Sequence, residues 1–246
     1  MKANGKVVLI TGAARRVGAC IARRLAAAGC DLLLHYRHSA DAAEALAAEL
    51  HGAHPIRVHL LGGDLADPGL PARLIHETVG HFGRLDGLVN NASLYQATPL
   101  NELEIAAWER IQAVNLRAPL FLAQAAAPHL RQSRGAIVNM GDIYAERPLA
   151  GYLSYSVSKA GLIALTRALA KELGPEVRVN AVSPGVALWA ESERPAEGDR
   201  QSILQRTALK REGSPEDIAG AVAYLLFDAP YVTGHNLVVD GGRMVY

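Results

Sequence analysis

Short apolar runs alternate with helix-length, alanine-rich segments along nearly the whole chain, and that alternation leaves few folds open. The runs are Val7–Ile10, Asp31–His35, Ile56–Leu60, Leu85–Asn90, Ala136–Met140, Val177–Val182 and Asn236–Asp240. Between them stand Ala19–Ala28, Ala40–Leu50, Leu70–Phe82, Ala106–His129, Tyr155–Leu173 and Pro215–Phe227. Such alternation implies βαβ units and a parallel sheet with helices on both faces. The runs are apolar at nearly every position rather than at every second one, as expected of strands buried on both sides. Pro119 is expected to bend or interrupt the Ala106–His129 helix. The polar stretch Ala190–Gln205 reads as a loop or mobile lid, and the wider segment 186–210 is expected to cover the substrate. A chain of 246 residues, half of them apolar, suits one large α/β domain spanning residues 1–246.

Charge and cysteine content narrow the function classes. Lys plus Arg is 25 against 24 for Asp plus Glu, so nothing in the balance draws the protein to nucleic acid or to a membrane surface. No apolar run approaches the length that spans a bilayer. The opening MKANGKVVLITG runs straight into a glycine turn and is too short for a secretion signal, so the expectation is a cytoplasmic protein. Cys20 and Cys30 sit in apolar surroundings and read as two reduced, buried thiols, not a disulfide or a metal pair. No metal site is expected.

The first strand runs into Thr11-Gly-Ala-Ala-Arg-Arg-Val-Gly18. Glycines at 12 and 18, between a strand and a helix, let a diphosphate approach bare backbone N–H groups and the positive helix end. Arg16 stands where a third glycine is expected and adds a cation. The second strand ends in His35-Tyr-Arg-His-Ser39, where dinucleotide folds that select NAD carry an acid. Here Arg37, His38 and Ser39 offer a guanidinium, an imidazole and a hydroxyl, groups that suit a ribose 2′-phosphate and hence NADP. Asp64 is a candidate partner for the adenine amine, while Asp67-Pro68 reads as a helix start. Asn90 and Asn91 are placed to satisfy backbone groups where the sheet opens toward a ligand. Asn115 lies in an apolar stretch and needs a partner, either backbone or a water on a proton path.

The stretch Met140–Lys159, MGDIYAERPLAGYLSYSVSK, leaves a strand end and enters a helix. Tyr155 and Lys159, four residues apart, share one helix face. An ammonium beside a phenol favours phenolate and is expected to lower the tyrosine pKa from about 10 toward working pH, as a general acid requires.

Taken together, Thr11–Gly18, Asn90–Ala92, Asn115, Tyr155-x-x-x-Lys159, Asn180, Pro184-Gly185 and Asp240–Gly242 resemble the short-chain dehydrogenase/reductase family over nearly the whole chain. The resemblance implies a single-domain α/β fold, a Rossmann-type three-layer sandwich with a seven-stranded parallel sheet. Where that family usually has serine, thirteen residues before Tyr155, this chain has Asp142. With Arg16, the His35–Ser39 cluster, Asn91-Ala-Ser93 and Tyr95, Asp142 resembles the pteridine reductase branch. Arg37 and His38 stand in swapped order relative to that branch, and Tyr95 stands where it usually has phenylalanine.

The resemblance implies NADPH as cofactor, held by Gly12, Arg15, Arg16, Val17 and Gly18, by Tyr36, Arg37, His38 and Ser39, and by Asp64 and Leu65. Asn91, Ala92, Ser93, Tyr155, Lys159, Pro184 and Gly185 complete that set. It implies Asp142, Tyr155, Lys159 and Asn115 as the catalytic group. A pterin would meet Arg16, Ser93, Tyr95, Asp142, Tyr155, Leu188 and Trp189, with Tyr95 as one wall of its slot. The implied reaction is reduction of a dihydropterin, and the implied assembly is a homotetramer joined through Pro99–His129, Tyr155–Leu173 and the C-terminal segment. Two rivals stand beside it: an NADPH-dependent carbonyl reductase of 3-oxoacyl or sugar type, and an NADP-binding sensor without catalysis.

Overall fold

The computed structural model describes residues 3–185 and 197–245. Its seven strands are β1 (Val7–Ile10), β2 (Asp31–Tyr36), β3 (Val58–Gly62), β4 (Gly87–Asn90), β5 (Ala136–Met140), β6 (Arg178–Pro184) and β7 (Asn236–Val239). They form one parallel sheet in the order β3-β2-β1-β4-β5-β6-β7. The chain winds outward from β1 to β3 and then returns to lay β4 beside β1. That reversal opens a crevice at the carboxyl ends of β1 and β4.

The helices are α1 (Arg16–Ala26), α2 (Ala40–Ala53), α3 (Leu70–Phe82), α4 (Ile105–Gln112), α5 (Ala118–Ser133), α6 (Leu153–Leu173), α7 (Glu197–Gln205) and α8 (Pro215–Ala223). They cover both faces of the sheet. Val8, Ile10, Leu32, Leu34, Val89 and Val138 pack on the side of α1, α2 and α8. Their strand neighbours Val7, Leu9, Leu33, Leu88 and Ile137 pack on the side of α3 and α5. Adjacent residues of one strand thus enter opposite cores, which is why the runs are apolar throughout. Among the described residues no helix is long and apolar enough to cross a membrane.

Local chemistry moves several boundaries away from those expected. β3 starts at Val58, not Ile56, because Asp31 takes the Arg57 backbone N–H at 2.7 Å and pairs with its guanidinium, so the ladder begins at Leu32 opposite Val58. The helix expected from Ala19 starts at Arg16 and takes Gly18 into its first turn. Apolar periodicity is blind there because the turn reads Arg-Arg-Val-Gly. The expected Ala106–His129 helix is two helices joined by a single π turn, Ala113–Arg117. Pro119 follows that π turn closely, so the regular helix ladder is interrupted just where a proline in this segment is expected to break it. Part of the expected loop Ala190–Gln205 is helical: α7 fills 197–205, while residues 186–196 lie outside the described residues. Cys20 and Cys30 are free and buried, and burial pushes their thiols up to about 11 and about 12.

One carboxylate joins two neighbouring strands. Asp86, just before β4, accepts the Val7 N–H of β1 at 2.9 Å and is forked by Arg84. Its side chain is only 3% exposed. Asp86→Ala leaves the Val7 donor buried and unsatisfied, and unfolding stability is expected to fall by about 1–3 kcal/mol. Urea denaturation checks this, and a midpoint unchanged from wild type would remove Asp86 from any structural role.

Candidate active site

The site is built where β1 and β4 stop. Their last polar groups have no strand beyond them to bond, and side chains take over. The Thr11 hydroxyl accepts the backbone N–H groups of Asn91 and Ala92, each at 3.0 Å. The Asn91 amide donates to the carbonyls of Thr11 and Gly12 at 2.9 Å. Buried His35 receives the Gly12 N–H on Nδ1 at 3.2 Å and donates from Nε2 to the Gly63 carbonyl at 3.0 Å. That pattern needs a neutral imidazole, and burial lowers its pKa accordingly.

The glycine loop is left bare by these contacts. Gly12 has φ +62°, and a Cβ on Gly18 would lie 2.3 Å from the Gly12 carbonyl oxygen. Arg16 takes φ +53°, the left-handed conformation expected of a glycine at its place. No acid occupies the first turn of α1, and Arg15 at its N-cap is exposed. A tight cradle of backbone donors at a positive helix end fits a dinucleotide diphosphate. Val17 packs against the core just behind it. On the far side Gly185 lies so close to Asp240 that a Cβ would come within 2.7 Å of the Asp240 Cα. Asp240 in turn accepts the N–H groups of Gly242 and Met244 at 2.7 Å, which fixes the turn beside Pro184.

At the end of β2 Tyr36 packs over Gly62, while Arg37 and His38 are exposed. Ser39 makes no side-chain capping bond to α2. Asp64, expected near adenine, is already engaged: it accepts Arg110 Nη2 at 2.6 Å and the Ala66 N–H at 2.9 Å, and pairs with Arg37 at 3.3 Å. The Arg110 bond, first of all, holds its carboxyl below the ordinary value. Leu65 turns into the core. Among the charged groups here, sequence patterning missed Arg110, which reaches Asp64 from α4.

The third group sits at the end of β5. Tyr155 donates its hydroxyl to Asp142 Oδ2 at 2.7 Å, and Asp142 Oδ1 caps a 3₁₀ turn through the Tyr144 N–H at 2.8 Å. Lys159 donates to the Met140 carbonyl at 2.7 Å, with its ammonium 5.5 Å from the Tyr155 ring centre. The expected lowering of the tyrosine pKa is therefore reversed. Burial first, and then the neighbouring carboxylate, drive the Tyr155 pKa well above its ordinary value. Burial also raises Asp142, against the pull of the Tyr144 N–H, the Tyr155 hydroxyl, Lys159 and Arg243. The Lys159 ammonium, desolvated, falls from 10.5 to about 8.

Asn115 lies in the π turn, where such turns often mark function. Its oxygen accepts the Leu94 N–H at 2.8 Å, and its amide donates to the Leu94 carbonyl and the Ser158 hydroxyl, both at 3.0 Å. Backbone is thus its chief partner. Ser158 passes the contact on to the Tyr155 carbonyl at 2.7 Å, so Asn115 ties the loop after β4 to the helix that carries Tyr155. On that loop Ser93 is exposed, and Tyr95 stacks on Tyr152 at 4.5 Å and meets the Tyr155 ring edge-on at 4.8 Å. The structure therefore brings Tyr95, Asp142, Tyr155 and Lys159 together. Leu188 and Trp189 lie outside the described residues. Among the described residues no group of acidic, histidine and cysteine side chains is placed to hold a metal.

Known proteins are similar to this chain in both sequence and architecture. A family model described as Enoyl-(Acyl carrier protein) reductase matches residues 12–243. A 3-oxoacyl-[acyl-carrier-protein] reductase of Synechocystis sp. is 34% identical over 249 residues, 99% of this chain and 98% of that protein. A blue fluorescent protein from a metagenomic library, solved in complex with NADPH, has a TM-score of 0.91 at 38% identity, with 99% of each chain covered. A short-chain dehydrogenase/reductase from Serratia marcescens has a TM-score of 0.91 at 37% identity, with 98% of each covered. The chain belongs to the short-chain dehydrogenase/reductase family. It is an oxidoreductase, and its cofactor is NADPH/NADP.

The buried ammonium has a consequence for stability. The Lys159 pKa is lower folded than unfolded, so its charge opposes folding below pH about 8, and that cost disappears as pH rises toward 10.5. A fall of this size corresponds to roughly 3 kcal/mol. The stability advantage of Lys159→Met over wild type, offset by the lost bond to Met140, is expected to shrink by about that amount across the window. Denaturant titrations of the cofactor-free protein at several pH values check it, and a gap independent of pH would mean that Lys159 has the same pKa folded and unfolded.

Proposed function

We propose that the protein is an NADPH-dependent pteridine reductase, reducing the C=N bond of a dihydropterin. One observation carries the reading: a carboxylate, Asp142, lies 2.7 Å from the hydroxyl of Tyr155. A transition state is favoured by groups that match the charge it develops. Reduction of a carbonyl builds negative charge on oxygen, which a carboxylate opposes. Reduction of an imine builds positive charge on nitrogen as the proton arrives, which a carboxylate favours. Should Asp142 bind a proton, as its burial promotes, it becomes a donor to the same nitrogen. An imine nitrogen is also far more basic than a carbonyl oxygen, so a tyrosine with a raised pKa suffices as its acid.

NADPH, when bound, supplies the hydride. Tyr155 and Asp142 hold and deliver the proton, and Lys159 keeps a positive charge under the Tyr155 ring. Asn115 positions the helix that carries them. Tyr95, backed by Tyr152, offers a flat wall for a flat heterocycle, and such stacking contributes about 0.5–1.5 kcal/mol beyond area burial. Arg37 and Ser39 suit the 2′-phosphate that distinguishes NADPH from NADH. The exposed apolar side chains of Leu120 and Phe121 on α5 and Val157 on α6 support assembly with further copies, and a cytoplasmic homotetramer is the state we propose.

The second reading, an NADPH-dependent carbonyl reductase, is favoured by the names of the relatives, such as the Synechocystis 3-oxoacyl-[acyl-carrier-protein] reductase. Asp142→Ser separates the two. If the substrate is a pterin, turnover of dihydrobiopterin or dihydrofolate is expected to fall about 10²–10⁴-fold, the range of a lost proton-transfer group. If it is a carbonyl, the same variant reduces an acetoacetyl ester as well as or better than the parent. A parent inactive on dihydropterins and improved on the ester by Asp142→Ser would reject the pterin reading.

Cofactor choice is tested apart from substrate. Arg37→Ala removes a charge-assisted bond of about 1.5–3 kcal/mol. The ratio of kcat/KM for NADPH over NADH is then expected to drop about 10–150-fold, chiefly through KM for NADPH. A ratio unchanged by the substitution would take the 2′-phosphate away from Arg37.

A further inference from the structure

The segment after Asp142 leads to a second set of charges that the proton chemistry leaves unused. It passes through the 3₁₀ turn Ile143–Ala145 and reaches Arg147, whose backbone N–H donates to the Ile143 carbonyl at 3.0 Å. The Arg147 guanidinium donates from Nη1 to the Arg243 carbonyl at 3.0 Å and ties this segment to the C-terminal turn. Arg206, just past the end of α7, faces them. With Ser202 and Ile203 of α7, these three arginines line a cavity of about 80 Å³. That is room for several waters or one compact polar group.

Three guanidiniums converge there with no carboxylate of the described residues at ion-pair distance. Among the described residues, none of Arg147, Arg206 and Arg243 forms an ion pair. Arg243 Nη1 is buried without any hydrogen-bond partner. Asp240, the acid nearest it along the chain, spends both oxygens on the Gly242 and Met244 N–H groups. An unsatisfied buried donor is costly, and clustered arginines repel one another unless an anion joins them. Arginine is also the side chain best shaped to fork a carboxylate or a phosphate. The cavity is continuous in charge with the reducing end: Arg243 acts on both Asp142 and Tyr144, and Arg147 on Tyr144, each opposing the upward push of burial.

We propose that this cavity is an anion subsite of the active site, and that the substrate carries a carboxylate or phosphate group which docks on Arg147, Arg206 and Arg243 while its reducible bond lies at Asp142 and Tyr155. The proposal rests on the reading of Asp142 and Tyr155 as the proton-delivering pair, but not on the reducible bond being C=N. A pterin with an acidic tail and an acyl group on a phosphorylated carrier both meet it.

The test uses two matched pairs of substrates, one pair for each chemistry. Dihydrofolate is compared with dihydrobiopterin, and acetoacetyl-coenzyme A with ethyl acetoacetate. In whichever pair is turned over, Arg206→Met and Arg243→Met are expected to lower kcat/KM for the anionic member at least tenfold more than for the neutral one. The change should fall on KM, and Arg206→Lys should recover part of it. A second measurement needs no turnover. With NADPH saturating, so that its own phosphate contacts are filled, inorganic phosphate should raise the melting temperature of wild type and not that of an Arg206→Met/Arg243→Met double variant. Equal losses on both members of a pair, or equal phosphate stabilisation of wild type and double variant, would overturn the subsite. If wild type responds to phosphate and the double variant does not, while dihydropterins are not reduced, the subsite stands and the pterin reading falls.

Discussion

A buried parallel strand that ends must find partners for its last N–H and C=O groups, and this requirement shapes the whole active end of the protein. β1 and β4 lie side by side where the strand order reverses, and their ladder ends at Val89, so the backbone groups beyond it need other partners. Thr11, Asn91 and His35 supply what is missing, with one hydroxyl, one amide and one imidazole each bonded to backbone. Because those three side chains satisfy the backbone from behind, the glycine loop keeps its front face bare for a diphosphate. His35 can serve only as the neutral ring, so its burial and its role agree.

The end of the sheet that holds Asp142 and Tyr155 is arranged on opposite terms. Asp142, Tyr155 and Lys159 are removed from water together, and each is driven toward its neutral form by burial. Lone charges in such a place are unfavourable, and the contacts that hold them are short and specific: the phenol on the carboxylate and the ammonium on the Met140 carbonyl. A proton shared among groups of raised and lowered pKa moves at little cost, which is the property a proton-delivering site needs. Asn115 secures this from a distance, since its π turn points the amide at Leu94 and Ser158 instead of into the helix ladder.

The 3₁₀ turn after β5 links the two kinds of chemistry. At its start Asp142 faces the phenol, and just beyond its end Arg147 faces the C-terminal turn. The Asp240-Gly-Gly242 motif therefore has a reach beyond its own loop: it shapes the turn on which Arg243 stands and closes against Gly185 at the end of β6.

Much of this was legible in the residues alone. Apolar runs on both faces mark the sheet, and the glycine spacing after the first strand with the basic end of the second points to NADPH/NADP, because each depends on local sequence and on burial that the pattern itself reveals. Asp142 and Tyr155, thirteen residues apart, were readable as a pair only through family resemblance. What the sequence left undetermined depends on residues distant along the chain. Arg110 reaches Asp64 from a helix 46 positions on, and Arg243 meets Arg147 across 96. The direction of the Tyr155 pKa was decided the same way. In sequence Lys159 is its neighbour and lowers it, but in the folded protein the ammonium turns to Met140 and the carboxylate takes the hydroxyl. Spacing along a helix says which side chains share a face; only the packed structure says which of them is desolvated, and desolvation decides the charge.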